Sequence, residues 1–152
     1  MKPIEFQELL FQSAVYMMAI DGVIHEHEEK ELLNIVRKTP YFFDFEFDDH
    51  LNNNLLHLRK EGKVAINNLL DLISNSGLNE KKELILIEVL LKIIEADEDI
   101  NSDELKFLHL VKSRINSTEE TLISKFPKQI EYLFDFNNFG KLVTFDSDIK
   151  LQ

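Results

Sequence analysis

Two stretches of the chain decide its fold: Ala19-Ile20-Asp21-Gly22-Val23-Ile24-His25-Glu26-His27-Glu28 and Glu95-Ala96-Asp97-Glu98-Asp99-Ile100-Asn101-Ser102-Asp103-Glu104. In each stretch an aspartate is followed by an isoleucine and then by a glutamate, at the same spacing. The two aspartates, Asp21 and Asp97, are 76 positions apart. Each stretch joins two apolar, helix-like segments. The pattern therefore predicts a duplicated unit of helix, acidic turn and helix.

The apolar residues on both sides of the turns match at the same offset of 76. They follow the spacing of one helix face. The matched pairs are Phe11 with Ile87, Val15 with Leu91, Met18 with Ile94, Leu32 with Leu108, and Ile35 with Val111. We therefore expect the two helix pairs to pack as pseudo-symmetric halves of one bundle.

The apolar periodicity predicts an all-α, single-domain bundle of about seven helices over residues 1–135, followed by an extended C-terminal arm over residues 136–152. The first helix should end near Ile20, and the second should begin after Ile24 and stop before Pro40. Further helices are expected over Leu51–Leu58, Val64–Ile73 and Glu80–Glu95, with the last of these central, and then after Ile100. Residues 41–49 are expected to form a connector.

Two signals concern the C-terminal third of the chain. Ser117 and Glu120 have the spacing of a capping box, which predicts a seventh helix that Pro127 interrupts or restarts. Leu142 to Phe145 are strand-like, and the arm is rich in aromatic residues. Since a disordered tail would carry few aromatics, the arm should be ordered, either against its own bundle or in a groove of a partner.

Composition removes several classes of function. The 152 residues include no cysteine, which excludes disulfides, thiolate zinc sites and cysteine nucleophiles. With 17 basic and 28 acidic residues the formal charge is -11 and no basic stripe exists, so nucleic acid is not expected as a partner. The most apolar run, Leu84–Ile94, is interrupted by Glu88 and Lys92, so it is expected to form a buried helix and not a membrane span. No targeting segment is evident, and the cytoplasm is the expected compartment.

The acidic turns have a structural interpretation. Asn101 precedes Glu104 by three residues and His25 precedes Glu28 by three, so each glutamate occupies a capping-box position. Asp21 and Asp97 would accept backbone hydrogen bonds within their turns. On this interpretation the repeated residues only stabilise helix ends.

The functional interpretation is a cation site. Asp21, Glu28, Asp97, Asp99 and Glu104 would supply the oxygen ligands that calcium or magnesium prefers, and they are expected at the surface, at helix ends. A complete calcium-binding helix-loop-helix is excluded, because its first ligand position falls on Met17 in one copy and Ile93 in the other.

The residues Ala19, Asp21, Gly22, Ile24 and Glu28 resemble the turn of the TerB-like tellurite-resistance family, which is also similar to the N-terminal domain of certain DnaJ-type membrane co-chaperones. The second copy keeps the pattern but has Glu98 in place of the glycine. The resemblance covers roughly residues 6–115. It implies a helical bundle, a non-catalytic role in stress or tellurite tolerance, an acidic metal-binding patch, and protein partners in complexes near the membrane.

Other signals are weaker. His25 and His27 suggest zinc, but the spacings of helical zinc and di-iron sites are missing. Aromatic residues alternate with acids in the connector, where Phe43, Phe45 and Phe47 are candidate anchors for a partner if they are exposed, and core residues otherwise.

Two functions follow from these observations. The first is a TerB-like, non-enzymatic stress protein that binds a divalent cation, protein partners, or both. The second is a metal-independent acidic interaction module, such as an immunity or antitoxin-like protein that meets a basic surface.

Overall fold

The computed structural model describes residues 5–96, 100–134 and 143–151. Within these ranges the chain forms eight helices and no strand, so the predicted all-α bundle is confirmed. The eighth helix is a single turn of four residues. The helices are α1 (Phe6–Ala19), α2 (Glu26–Lys38), α3 (Phe47–Glu61), α4 (Lys63–Asn75), α5 (Glu80–Ala96), α6 (Ser102–Arg114), α7 (Glu119–Lys125) and α8 (Ile130–Leu133).

The duplication extends to the helix boundaries. Both ends of α6 lie 76 positions after the corresponding ends of α2. All ten residues of the matched apolar pairs are buried, with exposures of 2% or less. α5 packs against both α1 and α2, which confirms its predicted central position. Within the described ranges no helix combines the length and the apolar composition needed to cross a membrane.

The connector between α2 and α3 is shorter than predicted. α3 begins at Phe47, so the last three residues of the expected connector are helical. Asp48 and Asp49 favour that start, because acidic side chains in a first turn interact well with the positive end of the helix dipole. Within the connector Asp44 has a φ of 48°, a left-handed conformation that aspartate tolerates better than most residues.

The start of α7 differs from the prediction by one residue. Its cap is Thr118, whose hydroxyl accepts a hydrogen bond from the backbone N–H of Thr121 at 3.1 Å. Ser117 does not act as the cap, because its hydroxyl donates to Glu83 Oε1 at 2.8 Å. α7 ends at Lys125, just before Pro127, as expected.

Residues 143–151, which we call the C-terminal segment, lie against the bundle. Phe145 is 1% exposed and belongs to the core. The segment contains no strand, so the strand predicted for its first residues is wrong over the described part. Its backbone pairs with side chains of α4 and α6 instead. Packing of the arm on its own bundle is thus confirmed for these residues, whereas Phe136, Phe139 and Leu142 lie outside the described ranges.

Candidate functional site

The carboxylate of Asp21 holds the first acidic turn together. It follows α1, and its side chain is 20% exposed. Asp21 Oδ1 accepts a hydrogen bond from the backbone N–H of Val23 at 3.0 Å, and Oδ2 lies 3.1 Å from His25 Nε2. The predicted role of Asp21 as an acceptor within its own turn is therefore confirmed.

Asn101, the residue before α6, contacts the first turn. Its Nδ2 donates to Asp21 Oδ2 at 3.0 Å, while its Oδ1 accepts from the backbone N–H of Glu104 at 2.9 Å and caps α6. At the offset of 76, Asn101 is the counterpart of His25. Asp21 thus contacts both His25, which precedes α2, and Asn101, which precedes α6. The starts of α2 and α6 therefore meet at Asp21, and the predicted side-chain cap is confirmed at Asn101 but not at His25.

The two repeated glutamates are buried, which corrects the expectation that they lie at the surface. Glu28 is 0% exposed and Glu104 is 1% exposed, each in the first turn of its helix. Glu28 precedes Leu32 by one helical turn, and Glu104 precedes Leu108 in the same way. Since Leu32 and Leu108 are buried, helical geometry carries each carboxylate to the inner face.

A cation site is not assembled by the described residues. Asp97 and Asp99 lie outside the described ranges, so Asp21, Glu28 and Glu104 are the predicted ligands whose positions are known. In residues 5–96, 100–134 and 143–151, no three His, Asp or Glu side chains are grouped closely enough to hold a metal ion. A cation at Asp21 would compete with the hydrogen bonds from Val23 and Asn101.

An acidic groove lies beside the first turn, between α2 and α3. It has a volume of about 380 Å³. Leu33 and Phe47 are half-buried and supply its apolar surface. Three carboxylates and two cations complete the lining, namely Glu26, Glu29, Asp48, Lys30 and Arg37.

The charges of the acidic groove are unevenly neutralised. Lys30 Nζ lies 2.8 Å from Glu26 Oε1, and this hydrogen bond holds the pKa of Glu26 below its ordinary value and raises the pKa of Lys30. Glu29 and Asp48 are exposed, and neither has an ion-pair partner in the described part of the chain. Three carboxylates against two cations, Lys30 and Arg37, leave the groove a net charge of -1 next to its apolar surface.

The three candidate aromatic anchors have different surroundings. Phe43 is 79% exposed, and Phe47 lines the acidic groove. Phe45 is half-buried, with its ring centroid 4.7 Å from that of Phe11 and stacked on His50 at 4.1 Å. Phe47 also contacts Phe11, with ring centroids 5.5 Å apart, so Phe45 and Phe47 both pack against the core. Phe43 is the most exposed of the three, and the part of Phe47 that lines the groove is the remaining surface on which a partner could pack.

Gly22 brings the C-terminal segment to the first turn. Its φ is 90°, which favours glycine. A Cβ at this position would lie 2.6 Å from the carbonyl oxygen of Lys150, closer than atoms can approach without moving. The glycine of the repeated pattern is thus required both by the turn and by the segment packed over it. Sequence reasoning missed the second requirement, since the two residues are far apart in the chain.

A second polar pair, which the sequence did not indicate, lies between the connector and α5. The hydroxyl of Tyr41 donates to Glu88 Oε2 at 2.5 Å. This hydrogen bond raises the pKa of Tyr41 to about 12, with smaller contributions from burial and from the charge of Glu88. The pair lines a cavity of about 190 Å³, and Lys81 and Lys125 are also among the lining residues.

We found no match between this chain and any protein-family model, curated protein or solved structure.

Proposed function

We propose that this protein is a non-enzymatic, metal-independent interaction module whose acidic groove binds a basic segment of a partner protein. The observation that carries the proposal is the groove itself, in which Leu33 and Phe47 provide apolar surface beside the exposed carboxylates of Glu29 and Asp48. Binding surfaces that combine an apolar centre with charged edges gain affinity from the first and selectivity from the second.

The chemistry of the groove favours lysine or arginine next to an aliphatic residue. The methylene stems of these cations pack on apolar surface while their charged ends reach carboxylates, as the lining of the groove would allow. A formal charge of -11 would also speed the encounter with a basic partner over a distance of about 10 Å at moderate salt.

The repeated acidic turn has a supporting role in this proposal. The hydrogen bonds of Asp21 with Val23 and Asn101 hold the turn that leads into α2. The first residue of α2 is Glu26, which lines the groove. The buried Glu28 belongs to the same helical turn as Glu29. We therefore infer that the repeated motif positions the binding surface, and that the partner contacts residues beside the motif.

Calorimetry with two synthetic peptides tests the proposal. One peptide alternates lysine with leucine, and the other alternates lysine with serine at the same charge. The lysine-leucine peptide should bind saturably with one site and more tightly. Glu29→Lys with Asp48→Lys should abolish that binding, whereas Glu119→Lys with Glu120→Lys, which makes the same charge change on α7, should preserve it. Equal affinities for the two peptides, or equal losses in the two variants, would refute the proposal.

A TerB-like stress protein that binds calcium or magnesium is the second candidate. The observation that favours it is the hydrogen bond from Asn101 to Asp21, which brings the start of α6 to the first acidic turn. Calcium titration of the parent protein at moderate salt distinguishes the candidates. A specific site gives saturable, stoichiometric heat, whereas an acidic surface gives weak association that salt screens.

A further inference from the structure

Phe43 projects into solvent from the connector between α2 and α3. Its side chain is 79% exposed, the highest value among the exposed large apolar residues of the described chain. The aromatic residues on both sides of it pack inward. The rings of Phe42 and Phe45 lie against the ring of Phe11, with centroid distances of 6.1 and 4.7 Å. The connector is therefore anchored to the core before and after Phe43.

The backbone also holds Phe43 in place. Its N–H donates to the side-chain oxygen Oε1 of Gln7 in α1 at 3.1 Å. The next residue, Asp44, has a φ of 48° and turns the chain back toward the core. An exposed aromatic residue on an ordered backbone loses little conformational entropy when it binds, which is the property of an anchor residue in a protein interface.

An open cavity of about 470 Å³ lies next to this exposed ring. Pro40 and Tyr41 of the same connector line the cavity, and so does Phe6, which precedes Gln7. The Cα atoms of Tyr41 and Phe43 are at most about 7 Å apart, so the ring and the cavity lie on one edge of the bundle. A cavity of roughly 150 Å³ can hold a benzene ring, so this one has room for a phenylalanine side chain.

The charges around the ring and the cavity are complementary. Lys81 and Lys82 are exposed and line the cavity beside the apolar Ile85, and its described lining contains no acid. Asp44 is exposed next to Phe43. In the part of the chain that the structure describes, none of these three charged side chains has an ion-pair partner. A ring beside a carboxylate thus matches an apolar cavity beside two ammonium groups, and we call the latter the lysine-lined cavity.

We propose that the protein forms a two-fold symmetric dimer in which Phe43 of each copy enters the lysine-lined cavity of the other. A two-fold interface uses the same surface patch on both copies, so a protruding ring and a matching cavity on one edge satisfy each other twice. Asp44 of one copy then meets Lys81 and Lys82 of the other. A second copy carries both halves of this match, whereas any other partner would have to supply a ring, an acid and a cavity of its own.

Sedimentation equilibrium of the full chain measures the association. The molecular mass should rise with concentration from one chain to two, and it should stay at two chains up to about 1 mM. Phe43→Ser should weaken the dimer by about thirtyfold or more, because each copy loses its anchor residue. Leu56→Ser, which removes a 60% exposed apolar side chain from α3, should leave the dimer unchanged. Neither substitution touches the core, so both variants should melt at the temperature of the dilute parent.

Charge reversal tests the lysine-lined cavity separately. Lys81→Glu with Lys82→Glu should abolish the dimer, whereas Arg59→Glu with Lys60→Glu, the same charge change on exposed residues of α3, should preserve it. Acidic residues in a first turn favour a helix, so the reversal at the start of α5 leaves the helix intact. A mixture of the Phe43→Ser chain with the lysine-reversed chain should associate more tightly than either variant alone, because one ring and one intact cavity remain between them.

Isotope-filtered nuclear magnetic resonance of a mixed-label dimer identifies the contact directly. Nuclear Overhauser effects should join the Phe43 ring of one copy to the Ile85 methyl groups of the other. A chain that stays monomeric at about 1 mM, or a dimer that Phe43→Ser leaves unchanged, would overturn the proposal. So would a mass that grows beyond two copies, because the rings would then insert head to tail without closure.

The dimer interface shares no residue with the acidic groove, so this proposal does not rest on the proposed function. Calorimetry separates the two. The Phe43→Ser chain should bind the lysine-leucine peptide with the affinity of the parent, although it no longer dimerises. Loss of peptide binding in that variant would contradict the separation of the two surfaces.

Discussion

Replacing Gly22 by alanine should destabilise the protein more than the same change at Gly77. Both glycines have positive φ, 90° and 63°, and alanine there costs about 1–3 kcal/mol in each case. At Gly77 nothing lies within 4 Å of an added Cβ. At Gly22 the Cβ would lie 2.6 Å from the Lys150 carbonyl oxygen, so the C-terminal segment must move away.

The extra cost at Gly22 follows from what the displaced segment would expose. Ile149 and Leu151 are partly buried against the core, and exposing each loses about 1 kcal/mol, roughly half the value for a fully buried side chain. We therefore expect the free energy of unfolding to fall by about 1–3 kcal/mol more for Gly22→Ala than for Gly77→Ala. For a chain of this size that difference lowers the melting temperature by about 2–4 °C per kcal/mol.

Urea denaturation of both variants measures the difference, provided that the slope of the transition is unchanged. The same two substitutions in a chain that lacks residues 149–152 provide the control. Without Lys150 the extra cost at Gly22 should disappear. Equal destabilisation by the two substitutions in the full chain would show that the segment does not pack on the first turn.

Three further predictions concern the polar network. Asn101→Ala should lower the free energy of unfolding by about 0.5–2 kcal/mol, measured by urea denaturation, because α6 loses its cap; an unchanged midpoint would contradict this role. Tyr41 is neutral over a wider pH range when folded, because Glu88 accepts its hydrogen bond. The contribution of the Tyr41 hydrogen bond to stability is complete below pH 10 and is lost as the pH rises toward about 12. The free energy of unfolding should therefore fall more over that range in the parent than in Tyr41→Phe. Parallel plots of this free energy against pH for the two proteins would refute the assignment. If the protein binds a divalent cation through its acidic turns, Asp21→Asn with Asp97→Asn should abolish the calcium signal in calorimetry with only modest destabilisation; binding equal to that of the parent would show that the ligands are wrongly assigned.

The paired helices were predictable because an apolar face repeats over many residues and dominates weaker signals. The burial of Glu28 was also present in the sequence, since Glu28, Leu32 and Ile35 share one helix face. Glutamate is usually exposed, and here its position on the apolar face of the helix outweighs that preference. The expected surface position of Glu28 was therefore wrong.

Other features depend on contacts between distant residues. The two hydrogen bonds between Asn67 and Phe145 join residues 78 positions apart. They involve the backbone of Phe145, so no pattern of side chains in the sequence predicts them. The displaced cap of α7 has a similar origin, because Glu83 accepts the hydroxyl that Ser117 would have used as a cap. The acidic groove combines Leu33 of α2 with Phe47 of α3, so it appears only once the two helices are packed.

Chemical-shift mapping by nuclear magnetic resonance tests most directly whether the acidic groove is the binding surface. The parent protein is labelled with nitrogen-15 and titrated with the lysine-leucine peptide at moderate salt. If the groove is the binding surface, saturating shifts should centre on residues 26–37 and 46–48. Shifts spread over every acidic surface, or centred on the turn that contains Asp21, would contradict it.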